Sequence, residues 1–171
     1  MRGYVQVYTG DGKGKTTAAL GLALRAVGAG FKIFIGQFVK GMTYSELDSL
    51  ERLSDQITLR QYGRDVFIRN KPKPEDIEKA KVGLEEIRQA LTSGDYQLVI
   101  MDEGNIATFY NLISVDELLT LIDQKHETTE LVITGRNADP RIIERADLVT
   151  EMKEIKHYYK EGVNARKGIE K

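Results

Sequence analysis

The sequence predicts a three-layer α/β fold, a mostly parallel sheet of about six strands with helices on both faces. Two observations lead there. Short β-branched or aromatic runs, read as buried strands by length and composition, alternate along the chain with longer helix-forming segments. The length, 171 residues, suits one domain whose core buries roughly 70% of the unfolded chain's surface.

Residues 4–8 (YVQVY) form the first expected strand, which runs into glycines. Residues 16–29 are rich in alanine and leucine and read as a helix that stops near Gly28 and Gly30. Residues 32–39 (KIFIGQFV) give the second strand. Residues 45–53 follow as a helix with Ser45 as its expected cap, and residues 57–61 as a short strand. Pro72 and Pro74 punctuate a polar loop, and Pro74 opens a long helix over 75–91. Residues 97–101 (QLVIM) make another buried strand. The helix expected over 114–124 begins with Ser114 and has Glu117 three residues on, a capping-box pattern. A strand at 131–134, a short helix at 140–145 and a strand at 148–152 complete the alternation. No repeat or linker divides the chain, so residues 1–171 are expected to be one domain ending in a polar tail from about 153.

Composition narrows the function classes. The formal net charge is −1, so bulk electrostatics draw in neither nucleic acid nor an anionic membrane, and an anionic ligand must be held by local cations. The chain has no cysteine, which excludes disulfides, thiolate metal sites and a cysteine nucleophile. No apolar run approaches the roughly 18 residues that span a bilayer. The expected strand at 4–8 leaves no room for a signal peptide, so a cytoplasmic location is expected.

The strongest motif is TGDGKGKTT at residues 9–17, set between a strand and a helix as a P-loop requires. Such a loop turns backbone N–H groups toward a phosphate, and the helix behind it adds its positive end. Lys15 would reach the phosphates and Thr16 would offer a hydroxyl to magnesium. The general pattern places glycine where this chain has Thr9; the glycines stand at Gly10, Gly12 and Gly14, with Lys13 as an additional cation and Asp11 and Thr17 completing the segment. With the alternating elements, this predicts a P-loop NTPase (RecA-like) fold.

Two further strand ends belong with the loop. Residues 98–103 (LVIMDE) place Asp102 and Glu103 at a carboxyl-terminal strand end, where ligands gather in open α/β sheets. These acids could bind the magnesium shell directly or through water, or hold the Thr16 hydroxyl. Arg136, in TGRN after the strand at 131–134, lies at the same edge and could clamp phosphate charge. Arg25 lies nine residues beyond Thr16 on the first helix, about 13 Å away at about 1.5 Å per residue, which suits a structural role equally well. His157 reads as a hydrogen-bonded structural residue and His126 as a solvated helix end.

The segments GDGKGKTTAALGLALRAVGAG, VIMDEGN, VITGRNA, ADLVTEMKEIKH and EGVNARKGIE stand in this order across nearly the whole chain. Together they resemble the ATP:corrinoid adenosyltransferases of the cobalamin-synthesis type. The closing segment has no general P-loop function, which makes it the most discriminating match.

The resemblance implies transfer of the 5'-deoxyadenosyl group of ATP to the Co(I) centre of a corrinoid, with release of triphosphate. It implies ATP reversed relative to ordinary P-loop enzymes, so that C5' faces the corrinoid. It assigns triphosphate binding to residues 12–17, magnesium to Thr16 and Glu103 with Asp102 behind or beside it, and a place near the nucleotide to Arg25. Lys15, Thr16 and Glu103 are thus the expected catalytic groups. An electron-donating reductase is the implied partner, and a homodimer is left open. Relatives often carry a G-F-T-W segment that packs on the corrin. This chain reads GRDVFI at 63–68 and has no tryptophan, so Phe67 alone fits that pattern. Many relatives also have a longer N-terminal arm over the corrinoid. Met1 leaves no room for one, so a more open site, or one covered by other segments, is expected.

Overall fold

The computed structural model describes residues 2–65, 68 and 71–170. Its sheet has six strands: β1 (Val5–Thr9), β2 (Ile33–Phe38), β3 (Ile57–Tyr62), β4 (Leu98–Asp102), β5 (Glu130–Thr134) and β6 (Leu148–Glu151). Their order is β3-β2-β4-β5-β1-β6, and every neighbouring pair is parallel. The expected three-layer fold is therefore present, with a sheet that is parallel throughout. Parallel pairing has a consequence for function: all six strands deliver their carboxyl ends to one edge.

The helices are α1 (Lys15–Gly28), α2 (Ser45–Glu51), α3 (Pro74–Ser93), α4 (Gly104–Phe109), α5 (Val115–Gln124) and α6 (Pro140–Arg145). Successive side chains of a strand point to opposite faces, and the core divides accordingly. Ile33, Ile35, Ile57, Leu98, Ile100 and Val132 pack with Ala19, Ala23 and Ala26 of α1 and Leu50 of α2. The alternate residues Val5, Val7, Phe34, Phe38, Val99, Met101, Leu131 and Ile133 pack against α3, α4, α5 and α6. Alanines on the buried stripe of α1 let that helix lie close to the sheet.

Helix ends follow the expected chemistry with two exceptions. Pro74 begins α3, and the Asp76 carboxylate accepts the Lys73 backbone N–H at 2.8 Å. Ser114 and Glu117 close the capping box at α5. Ser45, expected as the cap of α2, is instead its first residue, with extended Tyr44 at the N-cap. The second exception is α4, which was not expected. It begins on Gly104 directly after a left-handed Glu103 (φ 59°) without a side-chain cap. Gly104 packs tightly there: a Cβ would meet Ile133 Cγ2 at 3.1 Å and Met101 Cβ at 3.2 Å.

Tyr62, at the end of β3, is wedged between two glycines. A Cβ on Gly83 of α3 would lie 2.5 Å from the Tyr62 ring, and one on Gly36 of β2 would lie 3.0 Å from it. Arg64 then pairs with buried Asp76, tying the loop after β3 to the start of α3. Phe67, the expected corrin-facing residue, lies outside the described residues. Among the described residues no helix is long and apolar enough to cross a membrane.

Candidate active site at the carboxyl edge of the sheet

The loop between β1 and α1 is held from outside as well as from within. Gly10 (φ 92°) and Gly14 (φ 120°) occupy conformations that side-chain-bearing residues rarely adopt. Gly12 is required for a different reason: a Cβ there would meet the Met152 carbonyl oxygen at 2.7 Å and Lys153 backbone atoms at 2.8 Å. The Gly12 N–H donates to that Met152 carbonyl at 2.7 Å. The glycines at 10 and 12 thus admit the backbone that follows β6, a neighbour invisible to motif reading. Lys15 is buried and donates to the carbonyls of Gly10 and Gly12, both at 2.7 Å. Burial lowers its pKa, Glu103 opposes that shift and Arg136 adds to it.

Asp102 is the centre of the edge. Its carboxylate is 1% exposed and accepts four hydrogen bonds: Thr16 Oγ1 at 2.8 Å, Thr134 Oγ1 at 2.7 Å, Gln37 Nε2 at 3.1 Å and Lys40 Nζ at 2.7 Å. Of the three roles open to this acid, holding the Thr16 hydroxyl is the one the geometry displays. Glu103 is different. Its backbone N–H donates to Thr134 Oγ1 at 3.0 Å, while its carboxylate accepts no hydrogen bond among the described residues. Burial, then the neighbouring Asp102, raise the Glu103 pKa, with Lys40, Lys15 and Arg136 pulling it back.

Lys40 was not among the residues expected here. It follows β2 by two residues, and Val39 between them has φ 52°, a costly conformation for a β-branched residue. Besides Asp102, its ammonium donates to Thr16 Oγ1 at 3.2 Å. Burial works against its charge, but Asp102, with Glu103 and Glu46 behind it, more than offsets this, so its pKa lies above the ordinary lysine value.

The other expected residues divide into near and far. Arg136 is exposed, and its charge acts on Lys15, Glu103 and Glu154. Arg25 is exposed in the last turn of α1, and its charge acts on the Tyr8 phenol rather than on the loop's lysines. Asp11 and Thr17 are exposed at the loop. Lys13 reaches the tail: its ammonium donates to Glu170 at 3.0 Å, to the Ile169 carbonyl at 3.2 Å and to Tyr158 Oη at 3.4 Å. Glu170 also accepts from Tyr158 and Arg166, so one carboxylate gathers Lys13 of the loop and two residues of the tail. His157 caps the 3-10 turn Tyr158–Glu161 by accepting the Tyr159 N–H, in keeping with a structural role.

The chain is similar over its length to proteins of one family. A family model described as ATP:corrinoid adenosyltransferase BtuR/CobO/CobP matches residues 1–170. The chain is 35% identical to a corrinoid adenosyltransferase of Pseudomonas aeruginosa, over 99% of this chain and 84% of that one. It is 34% identical to a corrinoid adenosyltransferase of a Sinorhizobium species, over 99% of this chain and 80% of the relative. With that of Escherichia coli the identity is 32%, over 99% and 86%. Motif order, strand-end geometry and full-length similarity place the chain in the ATP:corrinoid adenosyltransferase family.

Proposed function

We propose that the chain transfers the 5'-deoxyadenosyl group of ATP to the cobalt of a reduced corrinoid, in the cytoplasm, and releases triphosphate. The observation that carries this reading is the glycine-rich loop between β1 and α1, with the Thr16 hydroxyl held on Asp102 at 2.8 Å, in a chain that matches the family model over residues 1–170. In the transfer, Co(I) attacks C5' of ATP. A Co–C bond forms with the cobalt electron pair, the C5'–O bond breaks, and its electron pair leaves with the triphosphate. Co(I) is already a strong nucleophile, so the protein's work is alignment and stabilisation of the leaving group. Lys15, on leaving the Gly10 and Gly12 carbonyls, and the loop N–H groups would meet the charge that grows on the triphosphate. Lys13 joins them once it exchanges Glu170 for phosphate oxygens.

The protein's oxygens suit magnesium, which is held by few carboxylates and completes its shell with phosphate and water. Thr16 Oγ1 and the Glu103 carboxylate, which accepts no hydrogen bond among the described residues, would hold the ion, while Asp102, with four donors on it, orients Thr16. When bound, the ion neutralises part of the triphosphate charge. Phe67 is assigned to the corrin face and a reductase to the supply of Co(I), while a homodimer stays open. These two assignments rest on the family.

The test is product identity. ATP, magnesium and chemically reduced cobalamin are mixed with the protein, and the phosphate product is identified by phosphorus NMR. A cobalt–carbon bond with intact triphosphate supports the reading. ADP alone points to phosphoryl transfer by a P-loop kinase or ATPase and sinks it. Binding without turnover identifies a nucleotide- or corrinoid-binding protein instead.

A further inference from the structure

We propose that Lys40 is a built-in cation that holds the metal-side oxygens before a divalent ion arrives, and that the two exclude each other there. The inference rests on the reading that the site takes a divalent ion with ATP. The Lys40 ammonium lies 2.7 Å from Asp102 Oδ2 and 3.2 Å from Thr16 Oγ1, the hydroxyl expected to ligate the ion. Its side chain is 16% exposed and that of Asp102 is 1% exposed, so solvent screens the contact poorly. Thr16 gives its single proton to Asp102 Oδ1, and the Lys40 ammonium takes up one of its acceptor positions. An ammonium and a divalent ion cannot share one hydroxyl oxygen without strong mutual repulsion.

The backbone is arranged to deliver this ammonium. Val39 adopts its left-handed conformation immediately before Lys40. The segment around it is clamped backbone to backbone: a Cβ on Gly63 would lie 2.3 Å from the Lys40 nitrogen, and one on Gly41 would lie 2.5 Å from Arg64 backbone carbon. A place for the displaced ammonium also exists. The Tyr44 ring centroid lies 5.6 Å from Lys40 Nζ, and the negative charge of Glu46 acts on it as well. Lys40 is therefore a positioning residue. It keeps Thr16 and Asp102 in register in the empty enzyme and withdraws toward Tyr44 when the metal–nucleotide enters.

The test measures metal affinity rather than turnover. Protein-bound Mn2+ is followed by its enhancement of water-proton relaxation, measured against Mn2+–ATP without protein, in the presence of saturating ATP, for wild type, Lys40→Met and Lys40→Gln. Removing the competing charge is expected to tighten Mn2+ binding by about tenfold or more in Lys40→Met. Lys40→Gln, whose amide still donates to Asp102, serves where the methionine variant does not fold, and is expected to tighten binding by a smaller factor. A residue that merely supported the fold would weaken the site or leave it unchanged when lost. Unchanged or weaker Mn2+ binding in folded variants overturns the proposal and leaves the ATP–metal reading standing. ATP-dependent Mn2+ binding absent from wild type as well would overturn both.

Discussion

Asp102→Asn tests whether this carboxylate organises the edge of the sheet. The aspartate accepts from Thr16 and Thr134 on Oδ1 and from Gln37 and Lys40 on Oδ2. An asparagine of the same shape can serve only one of these pairs, because its amide nitrogen carries two donors of its own. Either orientation turns an NH2 group toward two existing donors, and the Lys40 ammonium loses its counter-charge. Removing one partner of a buried ion pair costs about 3–5 kcal/mol, and partial rehydration of Lys40 reduces this to about 2–4 kcal/mol. The measurement is urea unfolding of the protein without metal or nucleotide, read as a shift in midpoint at constant slope. A companion variant sharpens it. Adding Lys40→Met to Asp102→Asn removes the orphaned ammonium and is expected to recover at least about 1 kcal/mol, a coupling that a double-mutant cycle detects. A loss below about 1 kcal/mol in Asp102→Asn, or simple addition of the two losses, would refute the reasoning.

Three other outcomes follow from the same geometry. Glu103→Gln is expected to leave unfolding stability within about 0.5 kcal/mol of wild type while reducing ATP-dependent Mn2+ binding at least about tenfold, since its carboxylate accepts no hydrogen bond among the described residues. Glu117 is held down to about 2 by Lys81 and the Ser114 N–H, so its stabilisation is present above the unfolded value of 4.5 and is lost as pH falls through about 2. Both partners are more than a third exposed, so screening limits the gap between wild type and Glu117→Gln at pH 7 to about 0.5–1 kcal/mol. Melting temperatures measured from pH 7 to 2 should show that gap closing below pH 4.5; a constant gap would exclude the ion pair as its source. Gly83→Ala ought to gain about 1 kcal/mol of helix propensity, yet its Cβ would meet the buried Tyr62 ring. Overpacking at such sites costs about 1–3 kcal/mol, so net destabilisation by urea unfolding is expected, and a more stable variant would contradict the packing described.

The strands and the P-loop were legible because their signals are local. Buried runs such as QLVIM show their character within a few residues, and the loop's residue types follow one another directly. The α4 helix was not legible, since it opens on Gly104 without a side-chain cap and follows a left-handed residue. The function of Gly12 was half legible. Its type was read as phosphate access, whereas its Cβ is excluded by Met152, a residue 140 positions away in sequence whose approach depends on β6 pairing with β1. Lys40 could have been found. In a parallel sheet every strand ends at the same edge, and the reasoning that singled out Asp102 and Arg136 applies equally to a lysine two residues past β2.

Glu103 and Val39 explain how one edge can carry so much charge without collapsing on itself. Both are non-glycine residues at positive φ, and both stand immediately after a strand, β4 and β2 respectively. Such conformations cost about 1–3 kcal/mol each and persist only where their surroundings hold them. Each turn decides which side chain meets Asp102. At Val39 it brings the Lys40 cation onto the carboxylate, and at Glu103 it joins only the backbone N–H to the Asp102 network, through Thr134, and leaves the second carboxylate outside it. Two adjacent carboxylates therefore serve different purposes: Asp102 is neutralised within the protein, while Glu103 is left with a raised pKa and acceptors to spare. That division arises from the backbone after the strands, not from the identity of the acids.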